Sequence, residues 1–521
     1  MKIKIKGVLI FIILCIISSP VTFSVSVKKY KIEKLDFISK GKTDARMVRQ
    51  KITPIDTDKL YASLEDMEAY LDGIKQELVN TRLLTDISYY YDMSEVLDDG
   101  TQLVTAAFSF NDTKSLIIFP CPTIDSNKGS SLTIALQDQN FLGLMNPLKL
   151  GIIGKLGTEE EPDNMSKLTL GGYFLYDYPF SIGKTKNTWL NMFNISWTVD
   201  EGKPDFSATS GLDIGIPVGK NFLKLDFMQT VSQDSDYKKY DDDLYFTETG
   251  RVSLPLMLGM LNKKAPVIYT PFVEATHNWD FDGINRNNRK LRDTPKVTVG
   301  QRTVINGMNW NGNFRNGYFI STTQSIARKF NLDKLSEMLV PYFSANARFY
   351  KSYKTIIGIE ANVNFFMTEN SVVNIGYRLR GILDKQRFKG FYVDEDNYAL
   401  ETTSALTFNL GMPVRLITTH WLQWFNKTDT ESGMGKLLSY LDFELHVAPF
   451  VDIGLLKNRA TGEYFSISHG LYTGGVELIL YPEKWKSYAI RASVGFDLSR
   501  HRNWRAPEKN YEIFLGIGHL F

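Results

Sequence analysis

The sequence predicts a mainly β chain, a transmembrane antiparallel β-barrel of about sixteen strands preceded by a small α/β domain. Three observations lead there. From about residue 113 onward, segments of roughly ten residues alternate apolar or aromatic side chains with Gly, Ser, Thr, Asn or charge, and polar turns separate them. After the N-terminus no apolar run reaches 18 residues, so only a closed barrel could carry the remainder through a bilayer. Helical periodicity is concentrated before residue 113.

In chain order, MKIKIKGVLIFIILCIISSPVTFS comes first. Lys2, Lys4 and Lys6 precede the apolar run Val8 to Ile17, which is too short to span a bilayer, and small polar residues follow. Residues 1–24 read as a secretory signal peptide. Leu14 stands before Cys15 where a lipoprotein signal expects a small residue. Removing this segment takes three lysines and no acid. The 60 basic and 58 acidic residues of the whole chain are then almost exactly balanced in number, which argues against a nucleic-acid partner. Aromatics at 13% with a mean hydropathy of -0.19 suit a β protein better than a helical membrane protein. Cys121 would be the one cysteine left, so an internal disulfide is not expected.

Residues 27–111 read as a mixed α/β domain. YKIEKLDFIS (30–39) alternates as a strand, and DARMVRQKI (44–52) as a helix. In 60–81, Leu60, Leu64, Met67, Leu71, Ile74 and Leu78 recur at three and four, giving a helix with one apolar face. DISYYYDM (86–93) and TQLVTAAFSFND (101–112) follow as strands around the turn DDG. The order is β-α-α-β-β.

Residues 113–521 hold sixteen to eighteen candidate strands, with 240–310 leaving room for a hairpin outside the membrane. LDKLSEMLV (332–340) and TTHWLQWF (418–425) read as short helices in turns or loops. VVNIGYRLRGILD (372–384) and SALTFNLGMPV (404–414) read as strands flanking RFKGFYVDED (387–396). In the last strand, Tyr511, Ile513, Leu515, Ile517, His519 and Phe521 share one face, with Gly516 and Gly518 on the other.

Enzyme signals are missing. The six histidines form no H-E-x-x-H or close pair, no G-x-S-x-G occurs, and SIGKTK (181–186) lacks the first glycine of a phosphate loop. A non-enzymatic protein with no cofactor and no metal is expected.

The order of these parts resembles the BamA and TamA family of outer-membrane proteins. ELVNTRLLTDISYYYD resembles the end of a POTRA domain, and SLTIALQDQNFLGLMNPLKLG resembles the family's first barrel hairpin, through Asp138, Asn140, Phe141, Leu142 and Gly143. The family's [VI]-R-G-[FY] motif, on a loop folded into the lumen, is matched to Phe388, Lys389, Gly390 and Phe391. Its F-x-D-x-G strand is matched by Phe450, Val451, Asp452, Ile453 and Gly454. A terminal aromatic, Phe521, behind Gly516 and Gly518 resembles the barrel recognition signal. The resemblance implies a loop cation held by Asp452. Lys389 stands where the family has Arg and cannot form the planar fork, so Arg387 is expected to supplement or replace it.

What the resemblance implies of function is insertion or translocation of outer-membrane proteins. The chain would sit in the outer membrane of a diderm bacterium, with the POTRA-like domain in the periplasm. Its partners would be nascent outer-membrane or secreted polypeptides, the lipid bilayer, and periplasmic or lipoprotein accessory subunits. The alternatives are a two-partner-secretion transporter, and a passive porin or surface antigen.

Overall fold

The computed structural model describes residues 29–53, 58–97, 99, 101–125, 129–157, 167–199, 203–233, 244–262, 265–281, 294–330, 338–369, 371–382, 400–425, 433–458, 462–498 and 511–519. The expected signal peptide lies outside them, as does Phe521.

The N-terminal unit contains β1 (Tyr30–Ser39), α1 (Ala45–Lys51), β2 (Leu60–Tyr61), α2 (Leu64–Asn80), β3 (Leu84–Val96) and β4 (Gln102–Asp112). The sheet order is β2-β1-β4-β3, with β1 parallel to β4 and β3 antiparallel to it. Asp44 and Ser63 cap the two helices by accepting from the backbone of Arg46 and Asp66. The predicted apolar face of α2 is the buried one, at Met67, Leu71, Ile74 and Leu78. It packs on Ile32, Leu35, Val104, Phe108 and Phe110. Leu60 departs from the expected helix and lies in the short strand β2, which pairs with the start of β1.

The barrel opens with β5 (Leu116–Asp125), a strand absent from the sequence reading because Pro120 and Pro122 interrupt its pattern. The hairpin expected to come first, built on 131–151, is therefore the second and third strands. Three strands of the wall are each interrupted by two residues across which the register runs on unchanged: Leu244–Ser253 with Leu256–Leu261, Lys296–Asn306 with Asn309–Asn311, and Ser404–Gly411 with Val414–Thr418. Joined, they give a closed antiparallel barrel of 18 strands among the described residues, not sixteen. Both extra strands fit the even count that returns the last strand to the end where the first began. The described part of 240–310 belongs to this wall, while 240–243, 263–264 and 282–293 lie outside the described residues. Of the helices expected in the loops, Trp421–Trp424 is present, while Leu339 and Val340 open a wall strand and 332–337 lie outside the described residues.

Outward positions on these strands are apolar and exposed, such as Ile134, Ile152, Leu258, Ile359 and Leu410. Inward positions include Asn346, Asn362, Asn364 and Asn409, which hydrogen-bond across neighbouring strands. This apolar-out, polar-in alternation is what a lipid-facing wall around a polar lumen requires.

Closure is uneven. β5 pairs with Gly129–Asp138 over ten residues, but among the described residues it pairs with the last strand (Tyr511–His519) at two positions, Phe514 with Asp125 and Leu515 with Ile124; 126–128, which continue the register, lie outside the described residues. Continuing that register would set Pro122 opposite Ile517 and Pro120 opposite His519. Since β5 keeps its ladder with Gly129–Asp138, the missing proline donors face the seam, and the ladder stops where they begin. The variant P120V/P122V is expected to extend it. Amide exchange at residues 516–519 of the reconstituted protein should slow at least several-fold, and unchanged exchange would refute this cause.

Candidate functional site

The functional geometry lies inside the barrel, on the inward faces of its last four strands. In Phe443–Leu456, the even-numbered residues His446, Ala448, Phe450, Asp452, Gly454 and Leu456 point inward. The facing residues of Leu471–Pro482 include Gly475 and Glu477. Tyr488–Asp497 contributes Arg491 and Gly495, and Tyr511–His519 contributes Glu512.

Against this wall sits a stretch read from sequence as a strand. Residues 372–382 hold a two-residue strand (Val373–Asn374), a 3-10 turn (Gly376–Arg378) and a turning tip at 380–381. Ile375, Leu379, Ile382 and Leu400 form a small core with Phe366, Leu456 and Leu471. Phe366 and Leu456 are inward positions, so the stretch is a loop folded into the lumen.

Arg380 is its tip. The guanidinium donates through Nε and Nη2 to Asp452 Oδ2 and Oδ1 at 3.0 and 2.7 Å, and the Arg380 backbone N–H donates to the same carboxylate at 2.9 Å. The guanidinium lies 3.9 Å from the Phe450 ring centroid, and its Nη1 is 3.7 Å from Glu477. Glu477 in turn accepts a fork from Arg491 at 2.6 and 2.8 Å. Asp452 is fully buried. Two cations and two carboxylates thus satisfy one another, as charges removed from water require.

Gly381 follows with φ of +85°. A Cβ there would meet the backbone of Gly495 and Phe496 at about 3.0 Å, and one on Gly495 would come within 2.5 Å of Gly381 Cα. The loop backbone therefore lies directly on the barrel wall, which only paired glycines permit. The Gly381 N–H donates to Glu512, on the last strand. Gly454 leaves room for Leu379, whose Cδ1 would lie 2.8 Å from a Cβ.

Of the predicted lock, Phe450, Asp452 and Gly454 all contact the loop. Arg387, Phe388, Lys389, Gly390 and Phe391 lie outside the described residues. The cation that meets Asp452 is Arg380, within Leu379-Arg380-Gly381-Ile382. Sequence reasoning passed over it because VVNIGYRLRGI alternates like a strand. The available signal was an Arg-Gly pair between apolar residues, closer to the family pattern than Phe388 to Phe391. Gly516 and Gly518 lie in the last strand opposite Arg491 and Ala489, beyond the two-pair seam.

A second group closes the domain end. The turn between Lys296–Asn311 and Phe314–Lys329 folds inward, and Trp310 packs on the inward residues Ala448, Ile479, Tyr481 and Ala489. Arg82, from the N-terminal domain, stacks on the Trp310 ring at 4.3 Å, and Arg315 lies 4.7 Å from it. Arg82 donates to Gly312 O at 2.9 Å, to Asn313 Oδ1 at 2.6 Å and to Lys486 O. Burial pulls its pKa down to about 10, so it stays charged at neutral pH. Gln76 and Asn80 of α2 add bonds to the same turn.

The motif Asp138-x-Asn140-Phe141-Leu142-Gly143 forms the joint between domain and barrel. Asp138 accepts from Lys42 and Ser115, Asn140 donates to Thr43, and Asp44 N–H donates to Gly143 O. Gly143 has φ of +74°, and a Cβ there would strike Lys42 O at 2.0 Å.

No protein-family model and no curated protein matches the chain. Among solved structures it is similar to CdiB from Acinetobacter baumannii, at 11% identity and a TM-score of 0.45, covering 94% of this chain and 74% of that one. BamA from Haemophilus ducreyi lacking POTRA domains 1-3 is similar at 11% identity and a TM-score of 0.35, over 93% of this chain and 84% of that one. CdiB from Escherichia coli gives 10% and 0.39, over 96% and 93%. Values this low leave the functional reading to the chain's own geometry.

Replacing Arg380 by Lys keeps a charge but loses the fork. It is expected to lower the stability of the folded barrel by about 2–3 kcal/mol, below the full cost of breaking a buried pair. Lys389→Ala should stay within about 0.5 kcal/mol, since Asp452 is already satisfied. Urea unfolding in lipid vesicles measures both, and the reverse ranking would move the lock to Lys389.

Proposed function

We propose that this chain is an outer-membrane barrel of the BamA and TamA kind, which assists other polypeptides into or across that membrane without breaking a bond. The observation that carries the reading is the seam. Among the described residues, neighbouring wall strands are joined by ladders of many pairs, whereas the first and last strands share two, and Thr123 to Leu116 find no partner on the last strand. A wall that is strong all round and weak at one lateral joint is suited to open sideways and offer strand edges to a nascent hairpin.

The inner lock supports this reading. Gly381 holds the last strand through Glu512 from inside, so the strand can part from β5 while remaining attached to the barrel. The N-terminal domain, taken as POTRA-like and periplasmic, contributes a second edge. β3 lies at the end of its sheet, with Tyr90, Met93 and Val96 exposed, and could pair with an arriving extended segment. Accessory subunits would dock on the same domain. A passive porin fits less well, because the lumen is occupied by the Arg380 loop and by the Trp310 turn.

Ile124 and Leu515 are seam partners with outward side chains. In a Cys121→Ser background, Ile124→Cys with Leu515→Cys should form a disulfide that locks the seam. Cells depending on this variant are expected to lose several barrel proteins from the outer-membrane fraction, with recovery on adding reductant. Loss of one exported protein alone would point to the two-partner-secretion reading. No loss at all, with the disulfide formed, would overturn lateral opening.

A further inference from the structure

Turns at the domain end of the barrel are short, as at 183–184, 219–220 and 354–356. The connection 419–442 is far longer, and longer too than the joint at 139–147. It carries two helices that contact each other, Trp421–Trp424 and Gly433–Tyr440. Its neck is fixed: Thr419 N–H donates to Phe443 O, Phe443 N–H donates back to Thr419 Oγ1, and Asp442 accepts from Trp421 N–H at 2.9 Å. Trp421 Nε1 donates to Leu441 O at 2.9 Å.

This well-anchored element nevertheless exposes Trp424, Phe425, Met434, Leu437 and Leu441, the last four at more than half their full area. So much contiguous apolar surface calls for a covering phase. The neighbouring wall says which. Met412, Leu416 and Ile417, on the strands entering the connection, are exposed outward positions of the lipid-facing wall. The apolar face of the helices prolongs that band at its domain-side rim. Its aromatic content is what a membrane–water boundary selects. Lys114 and Lys484 are exposed beside it, with Lys114 Nζ 5.9 Å from the Tyr440 ring.

The position is as specific as the chemistry. Tyr440 packs on Trp485 at 5.7 Å, and Trp485 Nε1 donates to Leu116 O at 2.9 Å. Leu116 begins β5, the strand whose seam edge is short of partners. We propose that the helices Trp421–Trp424 and Gly433–Tyr440 form an interfacial foot, lying in the headgroup–acyl boundary of the domain-side leaflet beside the seam. The partner is the lipid surface itself. The foot fixes the level of the leaflet against the start of β5, so lipid packing is set where the barrel is weakest.

The test uses the full chain in a Cys121→Ser background, reconstituted in vesicles of phosphatidylethanolamine and phosphatidylglycerol. A polarity-sensitive fluorophore is placed at Leu437→Cys, at Met434→Cys as a second variant, and at the exposed Glu65→Cys of α2 as a water-facing reference. Folding of each is checked by heat-modifiability. At 434 and 437, shallow acyl-chain spin labels should quench more strongly than deep ones, and iodide should quench at least threefold less than at 65. Iodide access equal to that at 65 would overturn the foot. So would protection from iodide without lipid quenching, which would mean that protein covers the face, or stronger quenching by deep labels. No substrate polypeptide is present, so failure here leaves the proposed function standing.

Discussion

The fork between Arg380 and Asp452 fixes where everything else in the lumen can go. The Asp452 carboxylate has been taken out of bulk water, and it tolerates that only because the part-buried Arg380 guanidinium is in register. The register is enforced sterically. Phe450 lies under the guanidinium, and Gly381 lies on Gly495 with no room for a Cβ between them. Glu477 and Arg491 continue the charge alternation to the next two strands, and Glu512 brings in the last. Four consecutive strands thus meet one loop through one inward residue or pair each. The last strand shares two pairs with β5 among the described residues and nine with Tyr488–Asp497, and the loop adds a contact to it from inside.

The domain end repeats the arrangement with other materials. There an aromatic ring, Trp310, takes the central place, with Arg82 on one side and Arg315 near it. Arg82 comes from the N-terminal domain and Trp310 from a barrel turn, so any movement of the domain pulls on the inner plug. The joint at Asp138 to Gly143 limits that movement, because Lys42 and Thr43 are seated in it by ion pair, hydrogen bond and backbone contact. Plug and lock share strands, since Trp310 packs on Ala448, Ile479, Tyr481 and Ala489, which lie on three of the four strands that the loop meets.

Much of this was legible in the sequence. Period-three and period-four spacing located α2 and its buried face, and period-two alternation located most of the wall. Phe450-x-Asp452-x-Gly454 was found as a motif, and each residue has a contact that explains it. What the pattern hid, it hid for physical reasons. Pro120 and Pro122 broke the strand signature of β5, although on a seam edge proline is permitted. Alternation in VVNIGYRLRGI imitated a wall strand, because a loop packed between a small core and a polar wall needs the same two-sided character. Leu60 matched the helix spacing but was drawn into β2 by pairing with β1. The inward turn at Trp310 gave no local signal, since the wall residues it packs on, Ala448, Ile479, Tyr481 and Ala489, lie more than a hundred residues away.

A double-mutant cycle on Arg380 and Asp452 tests the central interaction most directly. Arg380→Ala, Asp452→Ala and the pair would be unfolded in urea from lipid vesicles, each compared with wild type. The account predicts a coupling of about 1.5–3 kcal/mol, with the double variant far less destabilised than the sum of the singles. Additivity to within about 0.5 kcal/mol would mean that the two side chains do not hold each other, and would contradict it.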